Sequence, residues 1–166
     1  MMIKDYQEIK KELIIEEIKK HKFLNQTLSG NSMAPFIKEK DKILIQHSNS
    51  FEVGDIVAFF VNKFLVVHRI VKIKRKLYIT KGDNVRLFDR FTNKSNFIGK
   101  VIKVNGIYLY NQKHIKKSKN IAKISYYQGI LFKYFIVLFR RKNNSKIRNK
   151  ISKILSLPYY NLRKII

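Results

Sequence analysis

The spacing of apolar residues changes twice along the chain. Over residues 1–27 apolar side chains recur at steps of three and four, as Ile3, Tyr6, Ile9, Leu13, Ile14 and Ile18. This period predicts an amphipathic helix that packs on a core. From residue 28 to residue 110 the apolar runs are short and separated by turn residues. Beyond Asn111 helical spacing returns, so residues 111–166 are predicted to form a helical extension.

The middle segment carries six short runs rich in β-branched and aromatic residues, a composition typical of strands. They are Lys42 to Gln46, Asp55 to Val61, Phe64 to Val71, Lys76 to Thr80, Ile98 to Val104 and Ile107 to Tyr110. Turn signals separate them, and Asn105-Gly106 is a hairpin signal. No helical pattern lies between the runs. We therefore predict a mainly β protein with a compact antiparallel core over residues 28–110.

The apolar segment Tyr126 to Phe139 allows two interpretations. It contains Lys133 and is followed by Arg140, Arg141 and Lys142, which is typical of a helix lying at a membrane surface. A buried helix of the core fits equally well. The segment falls short of the roughly 20 apolar residues that cross a bilayer, and the N-terminal residues lack the apolar region of a signal peptide. We expect peripheral association with a membrane rather than a spanning helix.

Charge is distributed unevenly along the chain. Thirty-six Lys and Arg residues face 11 Asp and Glu, a formal net charge of +25, and every acidic residue lies at or before Asp89. Such a polycation is attracted to nucleic acid or to anionic lipid. A composition biased toward Lys, Ile and Asn with no polyanionic partner is the alternative. Cysteine is absent and the four histidines are scattered, so no metal or other cofactor is implied.

One candidate nucleophile stands in the segment Gly30-Asn31-Ser32-Met33-Ala34-Pro35. The glycine allows a sharp turn before Ser32, and the proline ends extended pairing after it. A serine on such a turn can expose its hydroxyl while its backbone N–H faces a developing oxyanion. Serine beside Gly and Asn is also ordinary turn chemistry.

Two further segments carry titratable side chains. His68 lies inside an apolar strand, where it must find a partner or line a cleft. Asp89 follows the turn Gly82-Asp83-Asn84 and could accept the imidazole Nδ1–H. Asp83 reads mainly as a turn residue. A lone strand histidine is more often structural, so the order of Ser, His and Asp makes the pattern informative.

These segments together resemble the type I signal peptidases, in the Ser-His branch found in the endoplasmic reticulum, in archaea and in some Gram-positive bacteria. The matching segments are Ser32-Met33-x-Pro35, Gly54-Asp55-Ile56-Val57, Val67-His68-Arg69-Ile70-Val71, Lys81-Gly82-Asp83-Asn84 with Asp89-Arg90, and Gly99-Lys100-Val101. Their order and spacing agree over about residues 28–104. The family has a β-rich catalytic core, as the strand pattern also predicts.

The resemblance implies a serine endopeptidase that cleaves signal or leader peptides from secreted precursors. Ser32 would be the nucleophile, His68 the general base, and Asp89 the orienting carboxylate, with Asp83 as the alternative. Small residues would precede the cleaved bond. Gly30, Asn31 and Met33 would contact the substrate. A histidine titrates near neutrality, whereas a lysine base would need a strongly lowered pKa.

Two departures from the family and two other functions stay open. Signal peptidases normally begin with a membrane-spanning helix, where this chain has a charged amphipathic one, and Gly30 replaces a serine that binds the oxyanion in some members. The related self-cleaving repressors share a similar Gly-x-Ser-Met turn, but they use lysine as the base. A non-catalytic basic module that docks on nucleic acid or an anionic membrane is the other possibility. No fingerprint of nucleic-acid binding is present, so we expect no nucleic-acid partner.

Overall fold

The computed structural model describes residues 5–139 of the 166-residue chain. Helix α1 covers Tyr6–His21, eight strands follow, and helix α2 covers Gln112–Phe139. The strands are β1 (Phe23–Thr27), β2 (Lys42–Gln46), β3 (Ile56–Val61), β4 (Phe64–Lys74), β5 (Leu77–Lys81), β6 (Thr92–Asn93), β7 (Phe97–Val104) and β8 (Ile107–Tyr108), with a 3-10 turn at Lys94–Asn96. The predicted mainly β fold is confirmed.

All eight strands belong to one antiparallel sheet, in the order β1-β2-β7-β3-β4-β5-β6, with β8 paired to β7. The register explains how β4 can serve two neighbours. Its first half, from Phe64 to Arg69, pairs with β3, and its second half, from Arg69 to Lys74, pairs with β5. Within the described residues, one edge of Phe64–His68 and the outer edge of β1 therefore lack a strand partner.

Alternating residues of β3 send their side chains to two separate apolar clusters. Ile56 and Ala58 join the larger one with residues of α1, β1, β2 and β7. Val57 and Phe59 join the smaller one, where aromatic rings from Phe51, Phe97 and Tyr78 meet edge to face. This period of two is what a sheet buried on both faces requires.

Helix α1 is shorter than the sequence pattern predicts. Asp5 caps its first turn by accepting from the Gln7 amide at 3.2 Å, and Lys22 ends it in a left-handed conformation with φ 63°. Of its apolar residues, Ile14 and Ile18 are buried, but Tyr6 and Leu13 are mostly exposed. The residues that follow the helix, predicted as part of it, instead form the edge strand β1.

Helix α2 packs against β4 and includes the apolar segment Tyr126 to Phe139. It begins where the Asn111 side chain accepts from the His114 amide at 2.8 Å. Over residues 5–139, neither helix is both long enough and apolar enough to cross a bilayer. The predicted helical extension is helical to Phe139, and the basic residues Arg140, Arg141 and Lys142 lie outside the described residues, as does the remainder to Ile166.

Candidate active site

Ser32 lies on a tight loop between β1 and β2. Gly30 adopts φ 125°, a conformation that side-chain-bearing residues rarely enter. The carbonyl of Asn31 then accepts from the Ala34 amide at 3.1 Å, and that of Met33 accepts from the Ile37 amide at 3.0 Å. The Met33 side chain is only 1% exposed and anchors the loop in the larger cluster. The half-buried Ser32 is left lining a cleft.

His68 projects from β4 at the point where the strand changes partners. It pairs in register with Val57, and its ring meets the ring of Phe59 edge to face. Its Nδ1 atom lies 2.6 Å from Oδ2 of Asp89. Because a carboxylate accepts, Nδ1 must carry the proton, and Nε2 is available on the opposite side of the ring. His68, which the sequence places in an apolar strand, is therefore hydrogen-bonded to the carboxylate of Asp89.

Asp89 is held in place by strand β5. Its amide donates to the Thr80 carbonyl at 2.9 Å, and the Thr80 hydroxyl donates to the same Oδ2 at 2.8 Å. Two bonds from one residue fix both the backbone and the carboxylate of Asp89. The carboxylate is thus oriented toward His68 by the fold and not by the imidazole alone.

Gly82 brings the serine loop and the histidine together. A Cβ atom at this position would lie 2.7 Å from the Ser32 carbonyl oxygen and 2.9 Å from His68 Nε2. Any side chain here would push the two segments apart. The Ser32 carbonyl also accepts from the Asn84 amide at 2.7 Å. Among the described residues no hydrogen bond joins the Ser32 hydroxyl to His68, and such bonds are often long in substrate-free sites.

Asp83, the alternative third member, is engaged elsewhere. Both of its carboxylate oxygens accept from the Arg69 guanidinium, at 2.9 Å from Nε and 2.6 Å from Nη2. Neither residue is appreciably exposed. Arg69 also donates to the Gly54 carbonyl and to Ser118 of α2. The geometry thus puts Asp89, and not Asp83, on the imidazole, because the turn at Gly82 directs the Asp83 side chain toward Arg69.

Lys81 is a site residue that the sequence analysis did not single out. It is 1% exposed and donates to Ser125 of α2 at 2.9 Å. Burial lowers the pKa of Lys81 to about 8, against the opposing effect of Asp83 and Asp89, which raise it. No sequence pattern indicates this burial, since a lysine at the end of a strand usually faces solvent.

The three residues expected to contact substrate are placed differently from one another. Gly30 and Met33 line the cleft together with Ser32 and His68. Asn31 does not line it, because its side chain accepts from the Glu39 amide at 3.2 Å and its carbonyl accepts from the Asn84 side chain at 3.1 Å. Through these two hydrogen bonds Asn31 stabilises the serine loop and does not face the cleft.

The cleft has a volume of about 500 Å³ and runs between the unpaired edges of β1 and β4. Gln26, Thr27 and Leu28 line one side, and Leu65 to His68 line the other. Over residues 5–139, no group of His, Asp and Glu side chains is arranged to hold a metal ion. Ser32 and His68 therefore lie together on a peptide-sized groove.

Comparison with known proteins identifies the family of the chain. The family model described as Peptidase S24-like matches residues 2–102, more than half of the chain. No curated protein matches the chain. The matched family includes both signal peptidase I and self-cleaving repressors, so the resemblance stated from the sequence is confirmed at the level of this wider group. On this match, and with its antiparallel β sheet, the chain belongs to the Peptidase S24-like family of serine peptidases.

Proposed function

We propose that this protein is a serine endopeptidase of the signal peptidase I type, which cleaves signal or leader peptides from precursors. One observation carries the proposal: His68 Nδ1 donates to Asp89 at 2.6 Å, in a cleft that Ser32 lines. An imidazole oriented in this way keeps its Nε2 lone pair for a hydroxyl proton. In the bacterial signal peptidases, the strand position that matches His68 holds a lysine.

The proposed reaction proceeds through an acyl-enzyme. Ser32 Oγ attacks the scissile carbonyl carbon while His68 Nε2 takes the hydroxyl proton. The tetrahedral intermediate collapses, the C–N bond breaks, and His68 returns that proton to the leaving amine. Water then attacks the Ser32 ester, with its proton passing to His68 and finally to the Ser32 oxygen. Asp89 stays ionised throughout and stabilises the imidazolium.

Substrate binding is proposed to use the two unpaired strand edges. An extended peptide laid in the cleft can pair with β1 on one side and with the first half of β4 on the other. The backbone bonds would provide affinity. The preference for small residues before the cleaved bond follows from the resemblance to signal peptidases, and Gly30, Ser32 and Met33 line that part of the cleft.

Labelling with a serine-directed acylating probe tests the nucleophile. The wild-type protein should be labelled at one site, and Ser32→Ala should abolish labelling because Ser32 lines the same cleft as His68. Ser95→Ala, an exposed serine remote from the cleft residues, is the matched control and should label normally. Labelling that survives in Ser32→Ala would remove Ser32 from this role.

A self-cleaving relative of the repressors is the second candidate, since the same family contains them. The two candidates differ in which polypeptide chain is cleaved. A self-cleaving protein breaks its own chain at a rate independent of protein concentration, whereas the proposed endopeptidase cleaves added peptides and leaves its own chain intact. Mass spectrometry of the incubated protein, with and without peptide, separates the two.

We also propose that α2 docks on an anionic membrane. Ile124, Tyr127, Leu131 and Tyr134 form an exposed apolar stripe at helical spacing, and Lys123 lies beside it. Residues 90–166 carry no acidic side chain that would repel lipid phosphates. Peripheral binding of this kind needs no spanning helix.

Co-sedimentation with vesicles tests this surface. The protein should bind phosphatidylglycerol-containing vesicles and dissociate as salt is raised, because both the apolar stripe and the positive charge contribute. Leu131→Glu should weaken binding several-fold. Leu77→Glu, at an exposed apolar residue of the β4–β5 hairpin, is the control and should have a small effect. Equal binding by both variants would place the membrane contact elsewhere.

A further inference from the structure

One face of α1 forms part of the cleft wall. Gln7, Lys10, Lys11 and Ile14 line the cleft, and their spacing of three, four and seven residues puts them on the same side of the helix. Ile14 is buried in the core, whereas Lys10 is exposed and Lys11 is half-buried. The helix therefore holds two ammonium groups at the cleft while its apolar residues anchor it.

The charges along the cleft are all of one sign. Lys10, Lys11 and Lys63 line it, and no carboxylate does so among the described residues. Lys63 is already paired with Asp5 at 3.1 Å and with Glu8 at 3.5 Å. Lys10 and Lys11 form no ion pair within residues 5–139, and the Lys11 ammonium lies 5.5 Å from the centre of the Phe60 ring. Two uncompensated positive charges are left facing the groove.

The strand geometry fixes how far these lysines lie from the reacting atoms. His68 is at one end of the unpaired half of β4, and Phe64 and Lys63 are at the other end, next to the start of α1. Lys11 lies over Phe60, which pairs with Leu65 near that other end. Extended chains advance together at about 3.3 Å per residue. A peptide paired with β4 and cut at the site would therefore present to α1 the residues that lie about four or five positions from the cleaved bond.

We propose that α1 selects peptide substrates carrying Asp or Glu about four or five residues from the cleaved bond. The inference rests on the proposed peptidase function and deepens it, because it names a charge requirement in addition to small residues at the cut. Lys10 and Lys11 are the specificity-determining residues. A lysine-bearing segment at the same place should bind more weakly, since it would meet two like charges.

Binding and cleavage are measured separately to test this. Ser32→Ala protein is titrated with rhodamine-labelled decapeptides that carry Ala around the cut and Glu, Gln or Lys at the fourth and fifth positions, on the N-terminal side in one series and the C-terminal side in another. In one of these two series, the Glu peptides should bind about three- to tenfold more tightly than the Gln peptides. The Lys peptides of that series should bind most weakly. Adding Lys10→Glu and Lys11→Glu should reverse the order.

A matched variant removes the effect of overall charge. Lys19→Glu with Lys20→Glu changes the same helix by the same charge, but these exposed lysines do not line the cleft, so the preference for Glu should persist. The proposal is overturned if neither peptide series shows a charge preference, or if the Lys19 and Lys20 variant loses it equally.

Cleavage of the same peptides by the wild-type protein is measured next. Failure to cleave any of them, with the binding preference intact, would count against the peptidase function and not against the charge preference.

Discussion

At the scale of single residues, Asp83 and Asp89 have similar positions in the sequence but different hydrogen-bond partners. Asp89 accepts from His68, whereas Asp83 accepts from Arg69 in a pair shielded from solvent. The sequence placed both within reach of the base, since each follows a turn after β5. It could not choose between them, because the choice depends on the direction in which the Gly82 turn points each side chain.

Substitution separates the two roles. Asp89→Asn should slow acylation of Ser32 by about 100-fold or more with little loss of stability, because the imidazole loses its orienting charge. Asp83→Asn should instead lower the free energy of unfolding by roughly 3–5 kcal/mol, because it leaves the buried Arg69 without a counter-ion. Probe-labelling rates and urea unfolding measure the two effects. The reverse pattern would make Asp83 the partner of the base.

Lys81 makes a distinct contribution to the pH dependence of stability. Burial lowers its pKa to about 8 in the folded protein, below the usual value near 10.4 of an unfolded chain. Between these values the unfolded chain binds more protons, so the stability contributed by Lys81 rises as pH increases from about 8 to 10.5 and is constant below that window.

The variant Lys81→Met exposes this contribution. Its free energy of unfolding relative to wild type should fall by up to roughly 3 kcal/mol between pH 7.5 and 10.5, because only the wild type gains stability there. Urea titrations at several pH values measure the difference, and Lys19→Met, at an exposed lysine, is the control. A difference that does not change with pH would mean that Lys81 titrates normally.

At the scale of elements, six of the eight strands could be read from the sequence, and β1 and the two-residue β6 could not. The runs over β2, β3, β4, β5 and β7 were dense in β-branched residues and matched the structure within a few residues. Strand β1 was missed because Leu24 is its only buried residue, so the alternation that identifies a strand hardly shows. It is also an edge strand, whose polar side chains suit a lining for the cleft.

Helix α2 contributes more to the site than its sequence indicated. Ser118 bonds the Gly54 carbonyl and Arg69, Ser125 bonds Lys81, and Tyr126 accepts from Lys72 at 2.7 Å. Such contacts between residues far apart in the chain leave no local pattern. The helix lies beyond the residues that the family model matches, yet it reaches the elements that carry His68 and Asp89.

Gly129 offers a direct test of that support. A Cβ atom at this position would collide with the Phe88 ring, whose backbone leads into Asp89. Gly129→Val should therefore displace the helix or the loop and reduce the labelling rate of Ser32 at least tenfold. Val137→Ala, at an exposed residue of the same helix, should leave it unchanged. Normal labelling of Gly129→Val would show that the site tolerates movement of α2.

At the scale of the whole molecule, the positive charge and the fold act in different places. Within the described residues, acidic side chains are used in local roles: capping α1, pairing with lysines, and holding Arg69 and His68. Most lysines and arginines of residues 5–139 face solvent, where their charge affects partners and not the fold. Composition alone could predict a polyanionic partner, but it could not say that a lysine face would border the catalytic groove.

The two faces of α2 have one more consequence. Its inner face bonds Arg69, Lys81 and Gly54, and its outer face carries the apolar stripe. We expect a membrane bound at the outer face to favour the docked helix, whose inner face bonds Arg69 and Lys81. Thermodynamic linkage makes the relation reciprocal. A bound peptide should raise the affinity of the protein for vesicles by a certain factor. Bound vesicles should raise its affinity for the peptide by the same factor.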